Sequence, residues 1–250
     1  MVRTFLVRGM LVGIVAGLLS FGFLNVYGEP QVDRAVAFET QMDEAKAAAD
    51  RAKGMSMSDA DELVSRPVQA GVGLFTAVIV YSAAFGGLFG LAFAFAYGRV
   101  PGALTPQSLS ALLAATGFVA IYLVPNLKYP ASPPAVGEPE TIGLRTALYF
   151  IMIAISLAAM VGAVTLKRRF VQRFGDWNAT LMVVACYIAI MIAAGLVLPA
   201  VNEVPDEFPA VVLWKFRIAA LGAQAIMWAT LGLLFGALTQ RALKMGRMRA

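Results

Sequence analysis

The sequence contains no histidine and a single cysteine, Cys186, among its 250 residues. Imidazole and thiolate hold zinc and neighbouring transition metals tightly, so this chain cannot build a nitrogen- or sulfur-rich metal site. Catalytic sets that require histidine are excluded in the same way, and a lone cysteine cannot form a disulfide within the chain. No glycine-rich phosphate loop ending in Lys-Ser or Lys-Thr is present. We therefore expect a protein that is not an enzyme and holds no cofactor.

Charged residues are also scarce, at 14% of the chain, whereas 60% of the residues are hydrophobic. A soluble domain cannot cover that much apolar surface, so lipid must cover it. Apolar stretches of about 20 residues, the length that spans a membrane, occur near 9–27, 70–97, 107–124, 147–166, 179–200 and 218–238. They predict one all-α integral-membrane domain, 1–250, folded as a bundle of six spans. The third stretch is the weakest, so five spans with an inverted C-terminus is the alternative.

The charges are sorted between alternate connections, as expected when cytoplasmic loops retain Lys and Arg. The N-terminus, the connections after spans 2 and 4, and the C-terminus carry one acid, Asp176. Their bases are Arg3, Arg8, Arg99, Lys167, Arg168, Arg169, Arg173, Arg241, Lys244, Arg247 and Arg249. Both termini are therefore predicted to be cytoplasmic. This basic collar accounts for most of the net charge of +5 and predicts contact with the lipid bilayer, not with nucleic acid.

The opposite connections are acidic and rich in proline. The first, residues 28–69, is predicted to be an extracytoplasmic helical insertion between spans 1 and 2, with a helix over 31–53 that starts after Pro30. The second, residues 124–146, contains five prolines, which fix extended and turning backbone in place of helix. The third runs over 198–209. Together they predict a stiff, acidic outer face.

Ionisable groups at the outer ends of the spans are expensive unless they are paired or face water, so they are functional candidates. Odd spans end in a polar group bracketed by prolines, and even spans begin with a basic residue. This arrangement suggests three pairings, Glu29 with Arg66, Lys128 with Arg145, and Glu203 with Arg217. Asn126 and Asn202 lie beside them. Interfacial salt bridges that hold helix ends and a direct role in solute movement are both open interpretations. Oxygen ligands for a metal ion are sought in Glu29, Glu203, Asp206 and Glu207.

Glycines recur at helical spacing in three spans. Gly9, Gly13 and Gly17 lie on one face of span 1, where another helix backbone can approach closely. Span 2 contains Gly86, Gly87 and Gly90, and span 6 contains Gly232 and Gly236. These faces predict close helix packing, and the alternative is that they let helices slide during transport.

The strings Lys128 to Thr146 and Pro199 to Arg217, with Gly28-Glu29-Pro30 and Ser65 to Gln69, resemble those of the CbtA family of predicted cobalt-transporter subunits. The resemblance extends over essentially the whole chain. It implies a multi-pass protein of the bacterial inner membrane, commonly described with five spans. It also implies cobalt as the transported substrate, supplied for cobalamin synthesis. The expected partner is a CbtB-like small single-span membrane protein with a histidine-rich tail.

The missing histidine and the implied substrate fit together if the partner collects the ion. Cobalt(II) accepts imidazole readily, which the partner would provide, and weak oxygen ligands in this chain would favour release over retention. A membrane scaffold or assembly factor that transports nothing is the alternative function. A homo-oligomer also stays open.

Overall fold

The computed structural model describes residues 1–53, 64–99 and 104–247. Across these ranges the secondary structure is helical and no strand occurs, as predicted. A chain in hydrocarbon must pair its own backbone N–H and C=O groups, and a helix does so within each segment. The α-helices are α1 (Val2–Phe23), α2 (Glu29–Ala52), α3 (Arg66–Val68), α4 (Leu74–Ala96), α5 (Pro106–Gly117), α6 (Val124–Lys128), α7 (Ile142–Val197), α8 (Ala210–Thr230) and α9 (Gly236–Arg247).

Short π-helical segments join several of these helices into longer ones. Within the described ranges, five continuous helices are long and apolar enough to cross a membrane. They are Val2–Ala52, Arg66–Ala96, Pro106–Lys128, Pro139–Val197 and Ala210–Met245. The third has 23 residues, which exceeds the roughly 20 needed to span the hydrocarbon. The weakest predicted span is therefore a membrane-length helix.

The fourth long helix folds back on itself at Gly175. This residue has φ 79° and ψ 166°, which no helix contains. Ser156 and Tyr187 are 31 residues apart and would be separated by roughly 46 Å along a straight helix. Their hydroxyl oxygens lie 2.7 Å apart instead. The segments 142–174 and 176–197 are therefore the two arms of a hairpin, and the five helices contain the six predicted apolar stretches.

The first long helix continues from the predicted span 1 into the predicted insertion without a break. The helix predicted over 31–53 is present as α2, and the π segment Leu24–Gly28 joins it to α1. Pro30 lacks the N–H that would bond to the carbonyl of Val26 four residues earlier, and a π segment at that point accommodates the gap in the ladder. The insertion thus begins as an extension of span 1. Residues 54–63 of the insertion lie outside the described residues.

Contacts divide the chain into two compact units, and the first comprises Met1–Ala115, Ser132–Val136 and Pro205–Ala250. Here α1 packs on α4 through glycine, as predicted: a Cβ on Gly9 would overlap the carbonyl of Gly86, and one on Gly13 that of Ser82. Gly232 and Gly236 similarly face Ala114 and Ser110 of α5. Buried hydroxyls join the helices further, since Ser20 donates to the Ala223 carbonyl (3.0 Å) and Ser110 to that of Gly232 (2.8 Å).

The second unit comprises Thr116–Ala131 and Gly137–Val204. Its core lies between the two arms of α7 and the segment before the proline-rich connection. The buried side chains are Tyr129, Leu148, Met152, Tyr187 and Met191. Beside the turn at Gly175, the Lys167 ammonium lies 3.0 Å from the Asp176 carboxylate. The assignment of residues 1–250 to one domain, and of 28–69 to an extracytoplasmic insertion, stays a prediction.

Candidate functional site

The first charged group lies in the first unit, where α2 and α3 begin. The guanidinium of Arg66 contacts the carboxylate of Glu29, which confirms the predicted pairing. It also contacts Asp33, with Nη2 2.9 Å and Nε 3.0 Å from Oδ1. Sequence reasoning did not pair Asp33, although its position one helical turn after Glu29 places both acids on the same face. One guanidinium thus holds two carboxylates, and the group has an excess of one negative charge.

Exposure differs within this first group. The side chain of Glu29 is 13% exposed and that of Asp33 is 62% exposed. Gln31, between them in sequence, is buried and accepts a hydrogen bond from Arg34 at 3.1 Å. Water screens the Asp33 pair more strongly than the Glu29 pair, so Glu29 is the more firmly held carboxylate.

The second charged group lies in the second unit, beside the proline-rich connection. The Nε of Arg145 lies 3.3 Å from the carboxylate of Glu203, and Nη2 donates to the backbone carbonyl of Glu138 at 3.3 Å. The backbone N–H of Glu138 in turn donates to the Glu203 carboxylate at 2.8 Å. The sequence predicted pairings of Lys128 with Arg145 and of Glu203 with Arg217. The structure instead pairs Arg145 with Glu203.

The path of the connection explains that difference. Gly137 has φ 112°, a left-handed conformation that favours glycine, and Ala135 has φ 64°. These turns bring residue 138 back over the start of α7. A Cβ on Gly137 would overlap the guanidinium of Arg145. Arg145 therefore occupies space that only glycine leaves open, and spacing between spans could not reveal this.

Three neighbouring groups of the protein stabilise the charged form of the Glu203 carboxyl. Its pKa is lowered from the ordinary value, first by the hydroxyl of Thr141, then by the N–H of Glu138 and the charge of Arg145, while partial burial opposes them. The Thr141 hydroxyl also lies 2.9 Å from the Glu138 carbonyl. It has one hydrogen to donate, and the charged acceptor makes the stronger bond. The group therefore holds Glu203 ionised.

The other predicted residues of this connection have local roles. Asn126 accepts a hydrogen bond from the N–H of Ala131 at 3.3 Å. The Lys128 ammonium lies 5.9 Å from the centroid of the Tyr129 ring. Tyr129 itself was not among the candidates, yet its hydroxyl donates to the carbonyl of Pro199 at 2.8 Å and so ties two connections of the second unit. Its aromatic ring among prolines was the available signal. Asn202 is exposed.

The remaining candidates belong to the first unit. Asp206 and Glu207 are exposed in a turn closed by the bond from the Phe208 N–H to the Pro205 carbonyl, 3.0 Å. Phe208 packs against Phe38 of α2, with ring centroids 5.1 Å apart. Arg217 is partly buried on α8.

These geometries restrict what the candidate metal ligands can do. Within the described ranges, no three acids, cysteines or histidines are grouped closely enough to hold a metal ion. Glu29 and Glu203 each face an arginine, so an ion that approached either carboxylate would compete with a guanidinium. Asp206 and Glu207 can attract a cation electrostatically. Metal binding by these four residues stays a prediction.

Comparison with known proteins identifies a family. The model of a family described as "Probable cobalt transporter subunit (CbtA)" matches residues 2–240. No curated protein and no solved structure matches the chain significantly.

Proposed function

The chain belongs to the CbtA family of probable cobalt transporter subunits, and from that premise we propose that it is the membrane-embedded subunit of a cobalt uptake system. The system would supply the ion for cobalamin synthesis. Five membrane-length helices, one of them folded back at Gly175, and buried hydroxyls between helices of the first unit support a role within the bilayer rather than at its surface.

Two features indicate that this subunit does not capture the ion itself. The chain lacks histidine, and Glu29 and Glu203 are each paired with an arginine. Such a subunit has weak means of extracting Co²⁺ from dilute solution, because imidazole is absent and its best placed carboxylates are neutralised. Capture therefore falls to the partner, a CbtB-like small membrane protein with a histidine-rich tail. The word "subunit" in the family description fits an assembly of this kind.

In this proposal the ion reaches the chain at its acidic outer connections. The exposed Asp33, Asp206 and Glu207 raise the local cation concentration without binding tightly. Glu29 and Glu203 then act as exchange points, where the arriving cation and the arginine compete for one carboxylate. Weak, competitive ligation suits conduction, because an ion held tightly does not move on.

The membrane potential can supply the driving force. It provides about 2.3 kcal/mol per elementary charge per 100 mV, and hence about 4.6 kcal/mol for an ion with two charges. The sequence contains no glycine-rich nucleotide loop. Potential-driven uptake requires the fewest additional components.

Uptake of radiolabelled cobalt into proteoliposomes tests the proposal. The purified chain is reconstituted alone and with its histidine-rich partner, with an inside-negative potential imposed. We expect strong uptake only with both proteins, and reduced uptake when Glu29→Gln and Glu203→Gln are combined. Glu140→Gln, an exposed acid outside both charged groups, is the matched control. Unchanged uptake in the double variant would exclude the two exchange points.

A membrane scaffold or assembly factor is the second candidate. The ion pairs and the glycine contacts described above would serve it equally well, since each fixes helix ends or helix spacing. Absence of cobalt uptake both with and without the partner would favour this function over transport.

A further inference from the structure

A groove of about 700 Å³ runs along the first unit at the predicted cytoplasmic end of α1. Its volume is within the range of roughly 300–1,000 Å³ typical of small-molecule sites. Its walls are the first half of α1 on one side, and the π segment Leu231–Phe235 with the start of α9 on the other. The lining residues are Arg3, Thr4, Val7, Arg8, Leu11, Val12, Val15, Leu234 and Leu238.

The groove is polar at one end only. Arg3, Thr4 and Arg8 belong to the first two turns of α1, whereas every lining residue further along is aliphatic. From Arg3 to Val15 the helix rises about 18 Å. Leu11 on this wall is 59% exposed. A molecule that fills the groove must therefore combine a negatively charged head with a long apolar chain.

Arg8 is held in position at the polar end. Its Nη1 donates to the hydroxyl of Thr239 at 3.0 Å, and Thr239 is fully buried in α9. This bond fixes the plane of the guanidinium, which carries four further N–H donors. Arg3 lies about 7.5 Å away along the axis of the same helix. Two arginines at this separation can bind phosphate oxygens from two directions, one through the bidentate fork.

We propose that this groove binds one anionic phospholipid of the cytoplasmic leaflet, with its phosphate on Arg3 and Arg8 and an acyl chain along the aliphatic wall. Basic recesses between membrane helices on the cytoplasmic side suit such headgroups. A second copy of the chain would oppose arginines to arginines if it docked here by two-fold symmetry. A membrane helix about 10 Å wide over the same length needs roughly twice the observed volume. The acyl chain is the better fit.

Native mass spectrometry of the detergent-purified full chain tests this site. The protein is titrated with phosphatidylglycerol and, separately, with zwitterionic phosphatidylcholine. We expect one tightly bound phosphatidylglycerol, and binding weakened about tenfold by Arg3→Gln or Arg8→Gln, since each removes a charge-assisted hydrogen bond. Arg241→Gln removes the same charge from the same end of the molecule but lies outside the groove, so it should bind as the unchanged protein does.

One further variant and one competition experiment also test the proposal. Arg8→Lys keeps the charge without the planar fork and should bind at an intermediate level. Inorganic phosphate should not displace the lipid, because it lacks the acyl chain. Equal binding of phosphatidylcholine, or equal losses in Arg241→Gln and Arg3→Gln, would overturn the site. If the Arg3→Gln variant kept its lipid but no longer bound the partner protein, the groove would be a protein-binding surface and the proposal would be wrong. The site does not depend on cobalt transport, so either proposal can fail alone.

Discussion

At the residue scale, Gly137 and Arg145 show how strongly one backbone conformation determines a charged group. The left-handed turn at Gly137 leaves the space that the guanidinium occupies. The guanidinium then reaches the Glu138 carbonyl and the Glu203 carboxylate. The second charged group therefore depends on a residue that carries no charge.

Substitution of Gly137 by alanine should destabilise the protein. The left-handed φ costs alanine about 1 kcal/mol, and the added Cβ would displace Arg145. We expect a clear fall in the melting temperature of the detergent-solubilised protein. Gly143→Ala is the matched control, because its Cβ would meet nothing within 4 Å in the first turn of α7. Equal melting temperatures for the two variants would contradict this account.

Glu203 should make stability depend on pH. A carboxyl whose pKa is lower in the folded chain stabilises the fold above its unfolded pKa, about 4.3. That contribution is lost as the pH falls through the folded value. We therefore expect Glu203→Gln to melt below the unchanged protein at pH 7, and the difference to close on acidification below about pH 4. A gap independent of pH would show that charge at Glu203 is irrelevant, and Glu140→Gln should show no such trend.

At the element scale, two of the four π segments in the described ranges coincide with a gap left by a proline. The carbonyl four residues before Pro30 and the one four residues before Pro125 both lie in π segments, Leu24–Gly28 and Phe118–Leu123. Each proline removes an N–H from the helical ladder, and the wider turn accommodates the gap without ending the helix. The segment Leu231–Phe235 contains no proline, and there the Ser110 hydroxyl donates to a carbonyl instead. At these three segments the helix is thus locally widened rather than interrupted.

Alanine at Gly9 should disrupt the packing of α1 on α4. Its Cβ would overlap the backbone of Gly86, which cannot move as a side-chain end can. We expect a loss on the order of 2 kcal/mol, measured as a lower melting temperature. Gly22→Ala is the control on the same helix, since its Cβ would meet nothing, and alanine favours helix by about 1 kcal/mol. If Gly9→Ala melted like Gly22→Ala, α1 and α4 could not be in such close contact.

At the scale of the whole molecule, the fold-back at Gly175 decides the topology. Two arms in place of one long helix raise the number of segments that can cross a membrane from five to six, an even number that would place both termini on the same side. The charge sorting in the sequence favours the same arrangement.

Cysteine labelling tests this topology. In a Cys186→Ser background, a thiol reagent that cannot cross membranes is applied to intact spheroplasts. Trp177→Cys, which is exposed beside the Gly175 turn, should be protected until the membrane is permeabilised. Glu140→Cys in the proline-rich connection should be labelled at once. Labelling of both Trp177→Cys and Glu140→Cys in intact spheroplasts would place both positions outside and contradict the six-span arrangement, whereas labelling of Trp177→Cys alone would contradict the predicted orientation.

Much of this architecture could be predicted, because hydrophobic length and glycine spacing act locally. Span positions and the glycine contacts of Gly9 and Gly13 follow from such local patterns, and the pairing of Glu29 with Arg66 follows from opposite charges at the facing ends of spans 1 and 2. The pairing of Arg145 with Glu203 could not, since it depends on the path of a connection with five prolines. Asp33 was missed although it lies one helical turn after Glu29 and contacts the same Arg66, and Tyr129 was missed because its partner, Pro199, comes from another connection.

The unbroken helix from Val2 to Ala52 has a mechanical consequence. Its outer part, α2, has 24 residues and is therefore about 36 Å long. The π segment Leu24–Gly28 lies at the base of this rod, so a change in helix direction there moves the whole of α2. A tilt of about 10° there would carry the far end roughly 6 Å sideways. A small rotation at this segment would thus produce a large displacement of the far end of α2.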